Sequence, residues 1–280
     1  MNTTKPILIS CIDHSVSGEK FDLLYDESLE MLITSPQPSK DQLPKYYESE
    51  NYISHTDSKK SLFERVYQLV KRYSLNKKIK LINKEAIQKG KLLDIGAGTG
   101  DFLLVAKNNG WNVKGVEPNA NAKQRAHKKG LKLSDHINDL DSEKFDVITM
   151  WHVLEHVPNL DEYIKRLYAL LNNKGTLIIA VPNFKSYDAI IYKEFWAAYD
   201  VPRHLWHFSK TSIKKLFEKE GLQISGIKPL KFDSFYVSML SEKYKTGKLN
   251  IIRSFTVAMK SNLKAKTTGN YSSLIYILKK

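Results

Sequence analysis

At 280 residues and 42% hydrophobic content, the chain is long enough to bury a full core as one large domain, or as one domain with appendages. A single cysteine, Cys11, excludes an intrachain disulfide and argues against a cysteine-based structural zinc, which suits a reducing compartment. The longest apolar runs, such as 176–181, fall far short of the roughly 20 residues that span a bilayer, and residues 1–6 lack the pattern of a signal peptide, so a cytoplasmic protein is expected. The net charge of +14 is uneven: residues 1–58 hold 4 basic and 10 acidic groups, 59–91 hold 11 and 2, 92–242 hold 20 and 18, and 243–280 hold 9 and 0. The basic flanks read first as a lysine-rich solvated surface, and second as a patch for an anionic substrate, nucleic acid or a membrane surface.

Residues 1–58 contain short apolar pieces at 7–9, 21–25 and 31–33, separated by turn formers and the Pro36-Gln37-Pro38 break; this predicts a small β meander followed by an extended arm. Residues 59–89 read as a helical linker, with Leu62, Val66, Leu69, Val70 and Tyr73 at three- and four-residue spacings. From Lys91 the pattern becomes strand, helix, strand, helix, the signature of a parallel sheet with right-handed crossovers. Strands are expected at 91–95, 111–117, about 131–133, 145–151, 175–181, 222–227 and 272–278. Helices are expected at 101–107, 160–171 and from a Ser209 or Thr211 cap to Gly221. The result is an α/β fold: a doubly wound, Rossmann-like, mostly parallel seven-stranded sheet over 90–280, with a helical insertion at 233–266 before the last strand.

The most informative stretch is Asp94-Ile95-Gly96-Ala97-Gly98-Thr99-Gly100, where an apolar strand enters a glycine turn and then a helix. Glycines admit positive φ and let a ligand approach bare backbone, so this turn is where such a sheet holds a nucleotide-like cofactor. A dinucleotide fingerprint, G-x-G-x-x-G, would place its third glycine where this chain has Asp101, a carboxylate that a pyrophosphate would not tolerate. A cofactor without phosphate fits better. Glu117 ends the second strand, 21 residues after Gly96, and can accept hydrogen bonds from both hydroxyls of a ribose.

These residues resemble motif I and the acidic second-strand end of the class I S-adenosylmethionine (SAM) dependent methyltransferases. The later runs Phe145 to Asn159, Asn173 to Asn183 and Asp200 to Ser209 are similar to the subgroup that includes ubiquinone-type O-methyltransferases. The resemblance covers roughly residues 90 to 228 and implies SAM as cofactor. It implies that Asp94, Gly96, Ala97 and Gly98 lie along the methionine end, that Glu117 holds the ribose, that Pro118, Asp139 and Leu140 lie near the adenine, and that Trp151 and His152 face the methyl group and acceptor. Related chains often carry paired cysteines before the core; here Cys11 stands alone, so no metal is expected in the N-terminal arm.

Methyl transfer from a sulfonium needs in-line positioning, and needs a base only where the acceptor has a proton to lose. His152, His204 and His207 are the candidate bases, since an unperturbed imidazole titrates near pH 6.5. Arg203 and His207 also have a structural reading, as a partner of Asp200 and as a backbone-bound group beside the Ser209 cap. An aromatic segment at 184–208 reads as a lid, with Tyr199, Arg203 and Trp206 facing the acceptor, or as packing of an added helix. His152-Val153-Leu154-Glu155-His156 also spells H-x-x-E-H, an inverted zinc-peptidase pattern, but Pro158 leaves little room for a metal-bearing helix.

Three functions follow in order: methylation, chiefly at oxygen, of a small-molecule or lipid-like acceptor; methylation of nucleic acid; and non-catalytic cofactor binding. The fourth strand ends in Trp151-His152-Val153 and lacks the N-P-P-Y or D-P-P-Y type grip for an exocyclic amine, which disfavours base methylation.

Overall fold

The computed structural model describes residues 5–39, 41–47, 62–140 and 143–280. Most of the arm expected after Pro38 falls at 48–58, outside the described residues. A seven-stranded sheet organises the rest. Its strands are β4 (Lys91–Ile95), β5 (Asn112–Val116), β6 (Leu133–Ser134), β7 (Phe145–Trp151), β8 (Leu171–Pro182), β10 (Gln223–Pro229) and β11 (Ser273–Lys279). Their order is β10-β11-β8-β7-β4-β5-β6, parallel except that β11 runs antiparallel to both neighbours.

The central strands are apolar on both faces because helices cover both. On one side α4 (Leu160–Leu170) buries Leu160, Ile164 and Leu167, spaced to share one face, and α6 (Lys210–Glu218) adds Ile213, Leu216 and Phe217. The Ser209 hydroxyl accepts from Ser212 N–H and the Ser212 hydroxyl accepts from Ser209 N–H, a reciprocal cap that starts α6 where the sequence signals it. On the other side α1 (Leu62–Glu85), α2 (Asp101–Asn108) and α3 (Ala120–His127) cover Leu92, Val147 and Ile178. Chain order steps outward from β4 through β5 and β6, then returns to β7 on the other side of β4. The switch point between β4 and β7 is therefore where the loops diverge and a ligand can enter.

Residues Ile7–Ile12 (β1), Lys20–Asp26 (β2) and Met31–Ser35 (β3) form an antiparallel meander, and Trp206–His207 (β9) adds a fourth strand beside β3. Two residues carry too little alternation for β9 to be predicted. The segment 184–208, expected as a lid, is packed against this small sheet: Tyr192, Trp196, Tyr199 and Val201 are buried with Phe21, Leu23 and Leu32. The physical reason is that a meander has one apolar face, and this aromatic segment supplies its cover.

The insertion forms two helices, α7 (Asp233–Thr246) and α8 (Ile251–Thr268), which pack on each other and on α5 (Tyr187–Tyr192). Asp188 on α5 is fully buried and accepts hydrogen bonds from Trp196 Nε1 at 2.8 Å and from the Ser261 and Ser272 hydroxyls, each at 2.6 Å. One carboxylate thus joins the aromatic segment, the insertion and the start of β11. Asp188→Ala leaves three buried donors unanswered and is expected to cost about 3 kcal/mol or more, measured by urea unfolding. A loss below about 1 kcal/mol would show that water or neighbouring groups replace the carboxylate.

Candidate active site

The cleft lies at the carboxyl edge of β4, β5 and β7. Asp94 ends β4 at 2% exposure, and the Thr149 hydroxyl of the adjacent strand donates to its Oδ1 at 2.6 Å. Burial raises the Asp94 carboxyl to about 7, against the opposing pull of Thr149 and of the Lys78 ammonium. Gly96 and Ala97 N–H both donate to the Val116 carbonyl, at 2.9 and 3.0 Å, so the glycine turn is laced to the end of β5. Gly96 and Gly98 have φ of +70° and +54°. A Cβ on Gly96 would meet Val153 Cγ2 at 2.3 Å, whereas one on Gly98 would meet nothing within 4 Å, so the second glycine presents bare backbone to open space.

Glu117 follows β5 directly. Its two carboxylate oxygens accept from Gly98 N–H at 2.7 Å and from Asn119 N–H at 2.9 Å. These two donors fix the carboxylate while leaving it lone pairs for diol hydroxyls. Asp101, where a dinucleotide fold would have glycine, is answered by Lys129 at 2.5 Å and Lys71 at 2.8 Å, which hold its carboxyl below the ordinary range despite partial burial. Pro118 is exposed beside Glu117. Asp139 caps its own turn by accepting from His136 N–H at 2.9 Å, while Leu140 is turned into the core.

Two further side chains reach the cleft from outside the sheet, and sequence patterning did not reveal either. Lys78 of α1 places its ammonium 4.3 Å from the Trp151 ring centroid, close enough to Asp94 and Asp233 for both to oppose the lowering of its pKa by burial. Asp233, the first residue of α7, sits 2.9 Å from His152 Nε2. Neither residue belongs to a local motif; each is delivered by a helix packed over the sheet. Trp151 Nε1 is buried with no hydrogen-bond partner among the described residues, a donor left for a ligand.

The three candidate histidines do not converge on one point. His152 adopts φ of +58° as it leaves β7 and lies between Asp233 and Glu155, whose Oε1 is 3.3 Å from Nδ1. Burial works against its charge, but the two carboxylates win and raise it to about 10. His152, expected as a base, thus has both ring nitrogens engaged by carboxylates that favour its protonated form. His204 Nδ1 is 2.9 Å from the Ala198 carbonyl, and its ring meets His156 edge to face at 4.6 Å. His207 Nε2 donates to the Thr34 hydroxyl at 3.0 Å, and burial together with His204 keeps the ring neutral. Arg203 is bound to the Asp200 carboxylate and to the Tyr46 carbonyl. Tyr199 meets Trp196 and His207 edge to face, and Trp206 Nε1 donates to the Val157 carbonyl at 2.7 Å. The contacts of these three residues, expected at the acceptor, lie between the small sheet and the loops beside the core.

A model of the methyltransferase domain family matches residues 59–225, more than half of the chain. The chain therefore belongs to the methyltransferase domain family, and its strand order is that of the class I fold. A ubiquinone biosynthesis O-methyltransferase of Coxiella burnetii is 30% identical over 132 residues, 44% of this chain and 56% of that protein. A protein of the same name from Actinobacillus pleuropneumoniae is 27% identical over 170 residues, 55% of this chain and 72% of its own length. The chain thus spans little more than half of the Coxiella relative. Among solved structures, magnesium protoporphyrin IX methyltransferase from Synechocystis PCC 6803, with bound S-adenosylhomocysteine, aligns over 86% of this chain and 93% of its own. Its TM-score is 0.54 at 13% identity, a likeness of fold alone.

Because the folded pKa of His152 is raised, the stability it lends is fully present below its unfolded value near 6.5 and is lost as pH rises towards about 10. The imidazole carbon resonances of His152, assigned with His152→Asn, are expected to stay in the protonated position at pH 8; titration near pH 6.5 would show that the carboxylates do not hold the proton.

Proposed function

We propose that the chain is a SAM-dependent methyltransferase that methylates a small-molecule or lipid-like acceptor at oxygen. The observation that carries this reading is the pairing of bare Gly98 backbone with the Glu117 carboxylate at the sheet switch point, beside a buried Asp94. The residues fit the cofactor: Glu117 would hold the ribose hydroxyls, the glycine turn would admit the ligand against backbone, Asp94 offers the negative charge that an ammonium or sulfonium needs, and Trp151 Nε1 offers a free donor. When bound, the cofactor supplies an activated methyl group.

The chain's own residues then position the acceptor and exclude water. His152, whose two ring nitrogens are held by Asp233 and Glu155, supplies positive charge at the end of β7 beside an acceptor oxygen that arrives already ionised, and removes no proton itself. Lys78 adds a second cation over Trp151. An oxygen acceptor already ionised at neutral pH, such as a carboxylate or an acidic phenol, suits this arrangement better than an aliphatic alcohol, which would require a base. The names of the O-methyltransferase relatives support the same acceptor atom. A lipid-like acceptor is favoured by the exposed Ile252, Phe255, Met259 and Leu263 of α8, in a C-terminal segment with 9 basic and no acidic groups.

Calorimetry with S-adenosylhomocysteine is expected to show one site per chain, weakened about 100-fold in Glu117→Ala because two charge-assisted hydrogen bonds are lost. Unchanged affinity would remove the cofactor assignment. Isotope-labelled SAM incubated with fractionated cell extract is expected to place label in small molecules or lipids, read by mass spectrometry. Label confined to RNA would replace this acceptor class with nucleic acid.

A further inference from the structure

Beside the cofactor cleft, three side chains from two loops turn towards one another. Glu155 and His156 come from the 3-10 turn after β7, and His204 from the segment that leads into β9. Each offers one ligand atom, and the three atoms lie within 4.8 Å of one another. The loops are held in register by Leu205 N–H donating to the Glu155 carbonyl at 2.8 Å.

The tautomers follow from the neighbours. His156 Nδ1 is 2.9 Å from the Arg203 carbonyl, and His204 Nδ1 is 2.9 Å from the Ala198 carbonyl. A carbonyl only accepts, so both Nδ1 atoms carry hydrogen; His204 Nε2 also lies 3.7 Å from Asp200 Oδ2. Glu155 is fully buried; its Oε1 faces His152, and its Oε2 has no hydrogen-bond partner among the described residues. Two imidazoles and the Glu155 carboxylate therefore meet, with the Asp200 carboxylate beside His204. Three converging acceptors repel unless a cation lies among them, and an imidazole that gives its other N–H to a carbonyl is the usual state of a metal-bound histidine.

We propose that Glu155 Oε2, His156 Nε2 and His204 Nε2 bind one divalent first-row metal ion, zinc by ligand preference, which ties the loop after β7 to the segment before β9. Two nitrogens and one carboxylate oxygen are a ligand set that zinc accepts, with a fourth position left for water. This is not the H-x-x-E-H arrangement read from sequence, which would use His152 and His156 on one helix face with Glu155 as base. Here the turn is 3-10, the left-handed backbone at His152 sends that ring to Asp233, and Glu155 becomes a ligand beside a histidine 49 residues further along the chain.

The site does not depend on the identity of the methyl acceptor, and its test is read without turnover. Chain stripped of metal by a chelator is titrated with Co²⁺ alone, then with Zn²⁺. One equivalent of cobalt is expected to give the visible bands of a low-symmetry nitrogen and oxygen site, which zinc displaces; zinc is expected to raise the Tm. His204→Gln and Glu155→Gln are each expected to weaken zinc binding by at least about 100-fold. Binding of S-adenosylhomocysteine, followed in parallel in His204→Gln, whose ring lies outside the charge series of the cleft, is expected to persist, so that loss of the metal and loss of the cofactor reading remain separate results. Should His204→Gln fail to fold, Glu155→Gln, which keeps the side-chain volume, decides the assignment. Absence of cobalt bands in the wild-type chain, or unchanged zinc affinity in the folded variants, which would put the ion on other histidines, overturns the proposal.

Discussion

An alternating series of charges crosses the mouth of the sheet, and the arrangement of the cleft depends on it. Asp94 on β4 faces Lys78 of α1, Lys78 faces Asp233 of α7, Asp233 pairs with His152 after β7, and His152 pairs with Glu155. A lone buried carboxylate at Asp94 would be costly, since removing an ion from water is repaid only by a partner and by hydrogen bonds. Here the Thr149 hydroxyl and the Lys78 ammonium share that task, and burial still leaves the carboxyl near 7. A site in which a negative charge is only partly answered is one prepared for a cation.

The same series explains why elements far apart in sequence meet here. The first long helix contributes a lysine, the insertion before β11 contributes an aspartate, and the strand end contributes a histidine in a left-handed conformation. Apolar packing sets where the helices lie, and the ionic contacts fix how the cleft edge is finished. The small β-sheet does comparable work on the far side: Thr34 of β3 donates to the His204 carbonyl at 2.6 Å and accepts from His207, which ties the meander to the loop before α6. The buried Asp188 then joins that layer to the insertion.

Much of the fold was legible because its strands are buried on both faces. The runs at 91–95, 145–151 and 175–181 read as continuous apolar segments, and the Ser209 cap and Gly96-x-Gly98 turn signal themselves through local chemistry. The edge proposed for the cofactor was legible through local spacing, since a strand end and a glycine turn set Asp94, Gly98 and Glu117 side by side. The acceptor side was not. Lys78 and Asp233 arrive by tertiary packing with no motif around them, and β9 is too short to carry a period. The aromatic residues of 184–208 look alike in sequence whether they cover a ligand or a second sheet; only the pairing of β9 with β3 separates the two. The pattern 152–156 placed Glu155 and His156 together, but a helical spacing rule could not bring His204 beside them.

This charged edge, from Glu117 through Asp94 to His152, is what we propose as a SAM site. A crystal structure with S-adenosylhomocysteine tests it most directly. The account predicts the ribose hydroxyls on the Glu117 carboxylate, the adenosine sulfur over the Gly96–Gly98 turn, and the amino-acid end beside Asp94 and Trp151. Ligand bound elsewhere, or a ribose that does not touch Glu117, would contradict it.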